Sequence, residues 1–360
     1  MVTEQAVRRC LQNLEDPIVK KDYVSTKMLK AVTVSEDGAV DVVVELGYPA
    51  RSSAQMVGQR IGRKIKELGA TSVNVQIGQN IIAHKVQGTT KVKGNIKNII
   101  AVSSGKGGVG KSTVSANLAV ALAQEGAKVG LLDADIYGPS QPKMLGVHGQ
   151  AMTSDGKTME PMVGHNVQMN SIGFMIAEDE PMIWRGPLAA GALQQLLNET
   201  NWHDLDYLVI DMPPGTGDIQ LTLSQSVPLT GAIVVSTPQD IALIDAKKGL
   251  RMFQKVNVPI LGIVENMSVF VCPSCGQLHH IFGEGGAKTM CETYGVPLLG
   301  ELPLSQKIRE FADQGTPIVA AEPESKEADL YRQMALQVAG AIARMDKDYT
   351  AKMPNITIKS

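Results

Sequence analysis

Residues 105–112 read Gly-Lys-Gly-Gly-Val-Gly-Lys-Ser, the spacing G-x-x-x-x-G-K-[ST]. A β-branched run, Ile99–Val102, precedes them, and a helical stretch, Ser112–Gln124, follows. Strand, glycine loop and helix in that order build a cradle for phosphate. The glycines let successive backbone N–H groups turn inward around phosphate oxygens without a Cβ clash. The helix adds the positive end of its dipole. Lys111 brings charge to the β- and γ-phosphates, and the Ser112 hydroxyl is placed to ligate Mg²⁺. The expected ligand is ATP with Mg²⁺, held by Gly105, Lys106, Gly107, Gly108, Val109, Gly110, Lys111, Ser112 and Thr113.

The surrounding pattern agrees. Apolar runs recur at Val129–Leu132, Tyr207–Ile210, Ala232–Val235 and Ile260–Val264, with helical stretches between them. Continuously apolar strands separated by helices predict an α/β unit with a mostly parallel sheet buried on both faces. This unit spans 98–345. The first 86 residues read as a separate small α+β domain. Its predicted parts are a helix at Glu4–Leu14, ended by Asp16-Pro17, and strands at Met28–Val34 and Val40–Leu46 around the hairpin turn Glu36-Asp37-Gly38. Ser52-Ser53-Ala54-Gln55 reads as a capping box. The helix it opens carries the stripe Val57, Ile61, Ile65, Leu68 and closes at Gly69. Ser72–Ile77 alternates as a strand. Residues 87–97 form a polar linker and 346–360 a flexible tail.

Composition narrows the partners. Lys plus Arg is 34 and Asp plus Glu 36, a net charge of −2, so no bulk attraction to nucleic acid or membrane is expected. Aromatic residues are only 4%, too few for a base-stacking platform. No uninterrupted apolar stretch is long enough for a membrane helix. The first eleven residues carry Glu4, Arg8 and Arg9 and no apolar leader core. The expectation is a cytoplasmic protein.

Carboxylates follow at strand ends. Asp133 and Asp135 end one apolar run, and Asp211 ends another. Groups past the C-terminal ends of parallel strands lie at the ligand edge of such a sheet. Asp135 is expected to orient the attacking water. Asp133 is expected to help hold the Mg²⁺ shell or the loop, and Asp211 to hold Mg²⁺. Pro213-Pro214-Gly215-Thr216-Gly217-Asp218 reads as a switch segment, with Gly215 near the nucleotide.

The four cysteines make no disulfide scaffold. Cys272 and Cys275 form a C-x-x-C pair, while Cys10 and Cys291 stand alone and read as buried small hydrophobes. A [4Fe–4S] cluster takes four thiolates, which a symmetric dimer would supply, two from each chain. Zinc on the same four thiolates, zinc on one chain's pair with His279 or His280, and a redox disulfide compete with it from spacing alone.

The pattern K-G-G-x-G-K-[ST] from Lys106 resembles the deviant phosphate loop of the proteins that include MinD, ParA, the nitrogenase iron protein and the Mrp/ApbC family. DADIYGPS at 133–140, DMPPGTGD at 211–218, and ENMS, CPSCG and IFGEGG between 265 and 286 are similar to Mrp/ApbC in particular. That resemblance, covering about 97–345, implies a P-loop NTPase fold and a homodimeric, ATP-hydrolysing carrier. The carrier holds a labile [4Fe–4S] cluster and delivers it to apo-proteins, working with cluster-assembly scaffold proteins. It implies that Lys106 acts in trans on the partner's nucleotide, that Cys272 and Cys275 bind the cluster, and that Asn266 contacts adenine. The N-terminal unit resembles the small domain of iron–sulfur assembly factors, although Gly47–Ser52 lacks the Cys that many of them carry after the second strand. A docking or regulatory role for it is the expectation. The alternative is a MinD- or ParA-like positioning or partitioning switch. A reductase like the nitrogenase iron protein is a third reading, but its cysteines are widely spaced.

Overall fold

The computed structural model describes residues 2–86, 95–153, 155–175 and 186–348. The N-terminal unit contains α1 (Glu4–Gln12), β1 (Leu29–Val34), β2 (Val40–Leu46), α2 (Ala54–Lys66) and β3 (Val73–Gln79). Its sheet runs β1-β2-β3, with β1 antiparallel and β3 parallel to β2. The expected hairpin turn forms, with Gly38 at φ +82°. Only a residue without a Cβ takes that conformation freely. Val57, Ile61 and Ile65 are buried beneath α2, whereas Leu68 lies beyond its end and is exposed. The capping box does not form. Ser53 is the N-cap and makes no side-chain cap bond, while the Ser52 N–H donates to Glu125 Oε2 at 2.9 Å. A carboxylate of the second unit has taken the donor that the box would have oriented.

In the second unit the strands are β4 (Ile96–Ser104), β5 (Val129–Asp133), β6 (Met162–Gly164), β7 (Val167–Ser171), β8 (Leu205–Asp211), β9 (Gly231–Ser236), β10 (Ile260–Glu265), β11 (Phe270–Val271), β12 (Leu278–His279) and β13 (Leu298–Glu301). The helices are α3 (Lys111–Gln124), α4 (Gln141–Met144), α5 (Gly186–Glu199), α6 (Asp218–Ser226), α7 (Asp240–Lys255), α8 (Gly286–Tyr294), α9 (Gln306–Asp313), α10 (Ile318–Ala321) and α11 (Lys326–Ala343). The main sheet runs β13-β10-β9-β4-β8-β5-β7-β6, parallel throughout except for the antiparallel edge strand β6. Each of β5, β8 and β9 is buried along its whole length. Helices α3 and α11 cover one face, and α5 to α8 the other. Two of the strands carry little sequence signal. β7 reads Val-Gln-Met-Asn-Ser and β13 is four residues long with a glycine, so neither stands out as an apolar run.

The two units share one core. Val7, Leu11, Val44 and Ile61 belong to the same apolar cluster as Leu118, Leu122, Tyr331 and Val338. Gln79 Nε2 donates to the Gly126 carbonyl at 2.8 Å. Arg344 donates to the carbonyls of Ile18 and Val19, each at 3.3 Å. Part of the expected linker, 87–94, lies outside the described residues, and its end belongs to β4, since Ile96 and Lys97 are already in the strand. The expected tail begins tied down: Lys85 N–H donates to the Asp346 carbonyl and Asp348 N–H to the Ala83 carbonyl. Residues 349–360 lie outside the described residues.

Candidate functional site

Strand β4 delivers the loop 105–110 to the N-terminus of α3. Gly108 and Gly110 take φ +82° and +80°, the left-handed region. The loop is clamped from both sides. A Cβ on Gly105 would lie 2.1 Å from the carbonyl carbon of Asp245 on α7, and one on Gly110 would lie 2.2 Å from Asn266 Nδ2. Gly105 is therefore required for close approach, and Gly110 for close approach as well as for backbone shape. A cavity of about 230 Å³ opens over the loop, lined by Gly108, Lys111, Ser112, Thr113, Asp135 and Pro214. A larger open groove, about 740 Å³, lies between α2 and β3, but no carboxylate or thiol lines it.

Lys111 points into a buried cluster. Its Nζ lies 2.7 Å from Asp211 Oδ1, 3.8 Å from Asp135 Oδ2 and 3.2 Å from Ser112 Oγ. Ser115, one turn further along α3, donates its hydroxyl to the same Asp211 oxygen at 2.8 Å. Gln141 Nε2 donates to Asp211 Oδ2 at 2.9 Å and to the Ser112 carbonyl at 3.0 Å. Ser115 and Gln141 were not singled out in the sequence. Ser115 had a legible signal, the four-residue spacing from Lys111 that puts both on one helix face. Gln141 had none, because its local pattern, Ser-Gln-Pro, reads only as the start of a short helix.

Asp133 is fully buried and its two oxygens accept four bonds. Oδ2 takes the N–H groups of Ser140 and Gln141 and the Ser171 hydroxyl, and Oδ1 takes the Asp135 N–H. Of the two roles expected of Asp133, its hydrogen bonds supply loop-holding, and it is not among the residues that line the cavity. Burial and the nearby Asp211 charge push its carboxyl up to about 7. Asp135 does line the cavity, and burial raises its carboxyl above the ordinary range.

The other expected contacts are distributed around the loop. The Gly215 N–H donates to the Ser104 carbonyl at 2.9 Å, which ties the switch segment to the end of β4. The Lys106 side chain is exposed on the rim. Asn266, just past β10, is buried, and its Nδ2 donates to the Val109 carbonyl at 2.9 Å, so this amide braces the loop.

Cys272 and Cys275 sit in the turn of the β11–β12 hairpin. The Cys272 N–H donates to the Gln277 carbonyl, and the Gly276 N–H closes back on the Cys272 carbonyl. Gly276 takes φ +73°. This tight turn aims the Cys275 and Ser274 N–H groups at the Cys272 sulfur, which holds its thiol below the ordinary range. Such turns prepare a sulfur to be a thiolate and a metal ligand. Both cysteines reach solvent. His280 Nδ1 instead meets the Ser268 carbonyl at 3.1 Å. Among the described residues no group of three or more His, Cys, Asp or Glu side chains forms a metal site, so the single-chain zinc arrangement with His279 or His280 is not assembled. Cys291 is buried as expected, and burial pushes its thiol up to about 11. Cys10 is only half-buried, its Sγ 3.8 Å from the Lys64 carbonyl.

A phosphate loop and a solvent-reaching cysteine pair in one chain have known counterparts. The family model for the NUBPL iron-transfer P-loop NTPase matches residues 95–339, and that for the iron-sulfur cluster assembly protein matches residues 4–77. The iron-sulfur cluster carrier protein of Escherichia coli (strain K12) is 51% identical over 92% of this chain and 90% of its own length. Its namesake from Synechocystis sp. is 45% identical over 95% of this chain and 99% of its own length. Among solved structures, a nucleotide-binding protein of Archaeoglobus fulgidus in complex with ADP is 39% identical, with TM-score 0.58, covering 66% of this chain and 93% of the other. The cell division ATPase MinD of Pyrococcus furiosus is 26% identical, with TM-score 0.51, over 67% of this chain and 98% of its own. The match to MinD covers two thirds of this chain, while the carriers cover more than nine tenths of it, and the chain belongs to the NUBPL iron-transfer P-loop NTPase family.

Proposed function

We propose that this protein is an ATP-hydrolysing carrier that binds a labile [4Fe–4S] cluster between two copies of itself and passes it to apo-proteins. The observation that carries this reading is the β11–β12 turn, where backbone N–H groups are aimed at a half-buried Cys272 next to an exposed Cys275. One chain provides two sulfurs and the cluster takes four, so a second copy completes the set. Val271, Leu278 and Ile281 are exposed around the pair, an apolar surround that suits contact with that copy. A cluster shared on such an axis and open to solvent is easily handed over, to iron–sulfur apo-proteins from an assembly scaffold.

At the other site, Mg²⁺ is held through one or two carboxylates together with substrate phosphates. Ser112 lines the cavity and would ligate Mg²⁺, which would offset charge on the phosphates there. Asp211, its oxygens taken by Lys111, Ser115 and Gln141, would hold the ion through a water. The loop amides cradle the phosphates while Lys111 compensates the γ-phosphoryl charge. Asp135 holds the attacking water, and its raised carboxyl is suited to accepting a proton. Water adds to the γ-phosphorus, the bond to the bridging oxygen breaks, and ADP and inorganic phosphate leave. Lys106, exposed on the rim, acts on the partner's nucleotide, and Gly215 follows the γ-phosphate. Asn266 reaches adenine only from beside the loop it braces. The N-terminal unit, residues 1–86, serves as a docking module on the ATPase unit, 98–345. No helix among the described residues is long and apolar enough to cross a membrane. We place the carrier in the cytoplasm.

The test is metal content. Protein purified without oxygen and reconstituted with iron and sulfide should hold about four of each per dimer. Cys272→Ala should hold neither. Zinc without sulfide, or iron indifferent to the substitution, would remove the carrier reading and leave an ATP-dependent positioning switch in front.

A further inference from the structure

The phosphate loop and the cysteine hairpin are separated by very little chain. Asn266 Nδ2 holds the Val109 carbonyl inside the loop. Two residues later, the Ser268 carbonyl meets His280 Nδ1 at 3.1 Å, at the end of β12. A carbonyl only accepts, so the ring nitrogen facing it carries the proton.

The short segment between these contacts is held rigidly. The Asn266 N–H donates to the Ser236 carbonyl at 2.7 Å, which anchors it to β9. Glu265 Oε2 accepts the Ala287 N–H at 2.7 Å, which anchors it to α8. Ser268 donates through both its N–H and its hydroxyl to the Leu302 carbonyl, just past β13. Between them Met267 takes φ +57°, a conformation that a residue with a Cβ rarely adopts. Positions of this kind persist only where their surroundings over-determine them, and they concentrate at switches.

The first leg of the hairpin is a direct continuation of this segment, through Phe270, whose bridge partner is Leu304. The second leg returns after the cysteines, pairs with the first through Phe270–His279 and Val271–Leu278, and is tied a second time to the segment by His280. A displacement of the 266–268 segment would therefore reach the second leg by two routes, the β11–β12 ladder and the imidazole.

We propose that His280 is a positioning residue, the strap through which the phosphate loop sets the posture of Cys272 and Cys275. The proposal rests on the carrier reading, in which nucleotide state and cluster handling are linked. His280 is not among the residues that line the cavity over the loop. Its work is to make the hairpin follow Ser268, and so the loop.

The experiment uses the full-length protein without cluster, under anaerobic conditions. Alkylation of Cys272 and Cys275 by monobromobimane is timed with Mg·ADP and with Mg·AMP-PNP, and binding of a fluorescent ATP analogue is measured alongside. Wild type should differ between the two nucleotides on the order of fivefold, the lower end of ordinary coupling between sites. His280→Ala should bind the analogue normally, melt normally and lose that difference. His280→Asn, whose amide N–H reaches a similar position, should restore most of it. A His280→Ala protein that keeps the wild-type ratio overturns the strap. So does a His280→Asn protein that fails to restore it, since ring bulk and not the donor would then be at work. A wild type indifferent to nucleotide would instead remove the link between the sites, and the strap with it.

Discussion

Lys111 Nζ lies 2.7 Å from Asp211 Oδ1, with Lys111 only 6% exposed and Asp211 not at all. The pair joins the first residue of α3 to the last residue of β8. The lysine proposed to meet phosphate and the carboxylate proposed to serve Mg²⁺ are therefore one electrostatic unit. Asp211→Asn leaves the ammonium short of its main counter-charge, and Asp135 at 3.8 Å compensates only in part. Breaking a buried pair from one side should lower stability by about 3 kcal/mol. ATP hydrolysis should fall on the order of 100-fold. Urea denaturation and phosphate release check both, and a variant as stable as wild type would mean that the Lys111–Asp211 contact does not hold the fold.

Asp133 gives the site a pH dependence of definite sign. Its carboxyl is raised to about 7 in the fold, above the unfolded value. The native state then binds a proton that the unfolded chain has released, so stability is greatest below the unfolded pKa. It is lost as pH rises through about 7. Asp133→Asn keeps acceptor and shape without the charge, although its amide N–H faces donors from Ser140 and Gln141. The urea midpoint of wild type should fall between pH 5 and pH 8, and that of the variant should fall much less. Parallel slopes would show that another group carries the effect.

Cys272 should become a thiolate at lower pH than an ordinary cysteine, because the N–H groups of Cys275 and Ser274 point at its sulfur. Its alkylation rate, followed by peptide mass spectrometry, should reach half-maximum at a pH below the ordinary thiol value. Replacing Ser274 by Pro removes one of those N–H donors and should move the midpoint back up. An unchanged midpoint would show that the turn does not acidify the sulfur.

Gly340 sets the seating of the N-terminal unit. A Cβ there would lie 2.7 Å from the Ile18 carbonyl oxygen and 2.8 Å from Ile18 Cγ2. Ala in mid-helix gains about 1 kcal/mol over Gly by propensity. Overpacking against backbone costs about 1–3 kcal/mol and cannot be relieved by rotating a side chain. Gly340→Ala should therefore destabilise, and hydrogen exchange at residues 16–20 should quicken while the phosphate loop is unaffected. Slower exchange at those amides would show that the helix, not the seam, limits stability.

The legible parts of this protein are those whose chemistry is local. A glycine loop between strand and helix needs its residues consecutive, so Gly105 to Thr113 could be read directly. Asp135 and Asp211 were legible because parallel strands end at one edge. Gln141 was not, since its two bonds reach residues 29 and 70 positions away. The expected capping box at Ser52 was lost for the same reason, to Glu125, 73 positions away.

By itself the sequence determined the nucleotide cradle, the parallel sheet that carries it and the pairing of Cys272 with Cys275. Periodicity and spacing express backbone geometry over a few residues, and those features lie within that range. Only the tertiary structure decided that Asp133 faces inward to hold a loop, that Asn266 braces the cradle, and that the two units share one core. It also decided that the segment at 265–268 stands between the cradle and the cysteines. Each of these depends on which distant donor meets which buried acceptor. A buried polar group must be paired wherever the packing places a partner, and local pattern carries no record of that place.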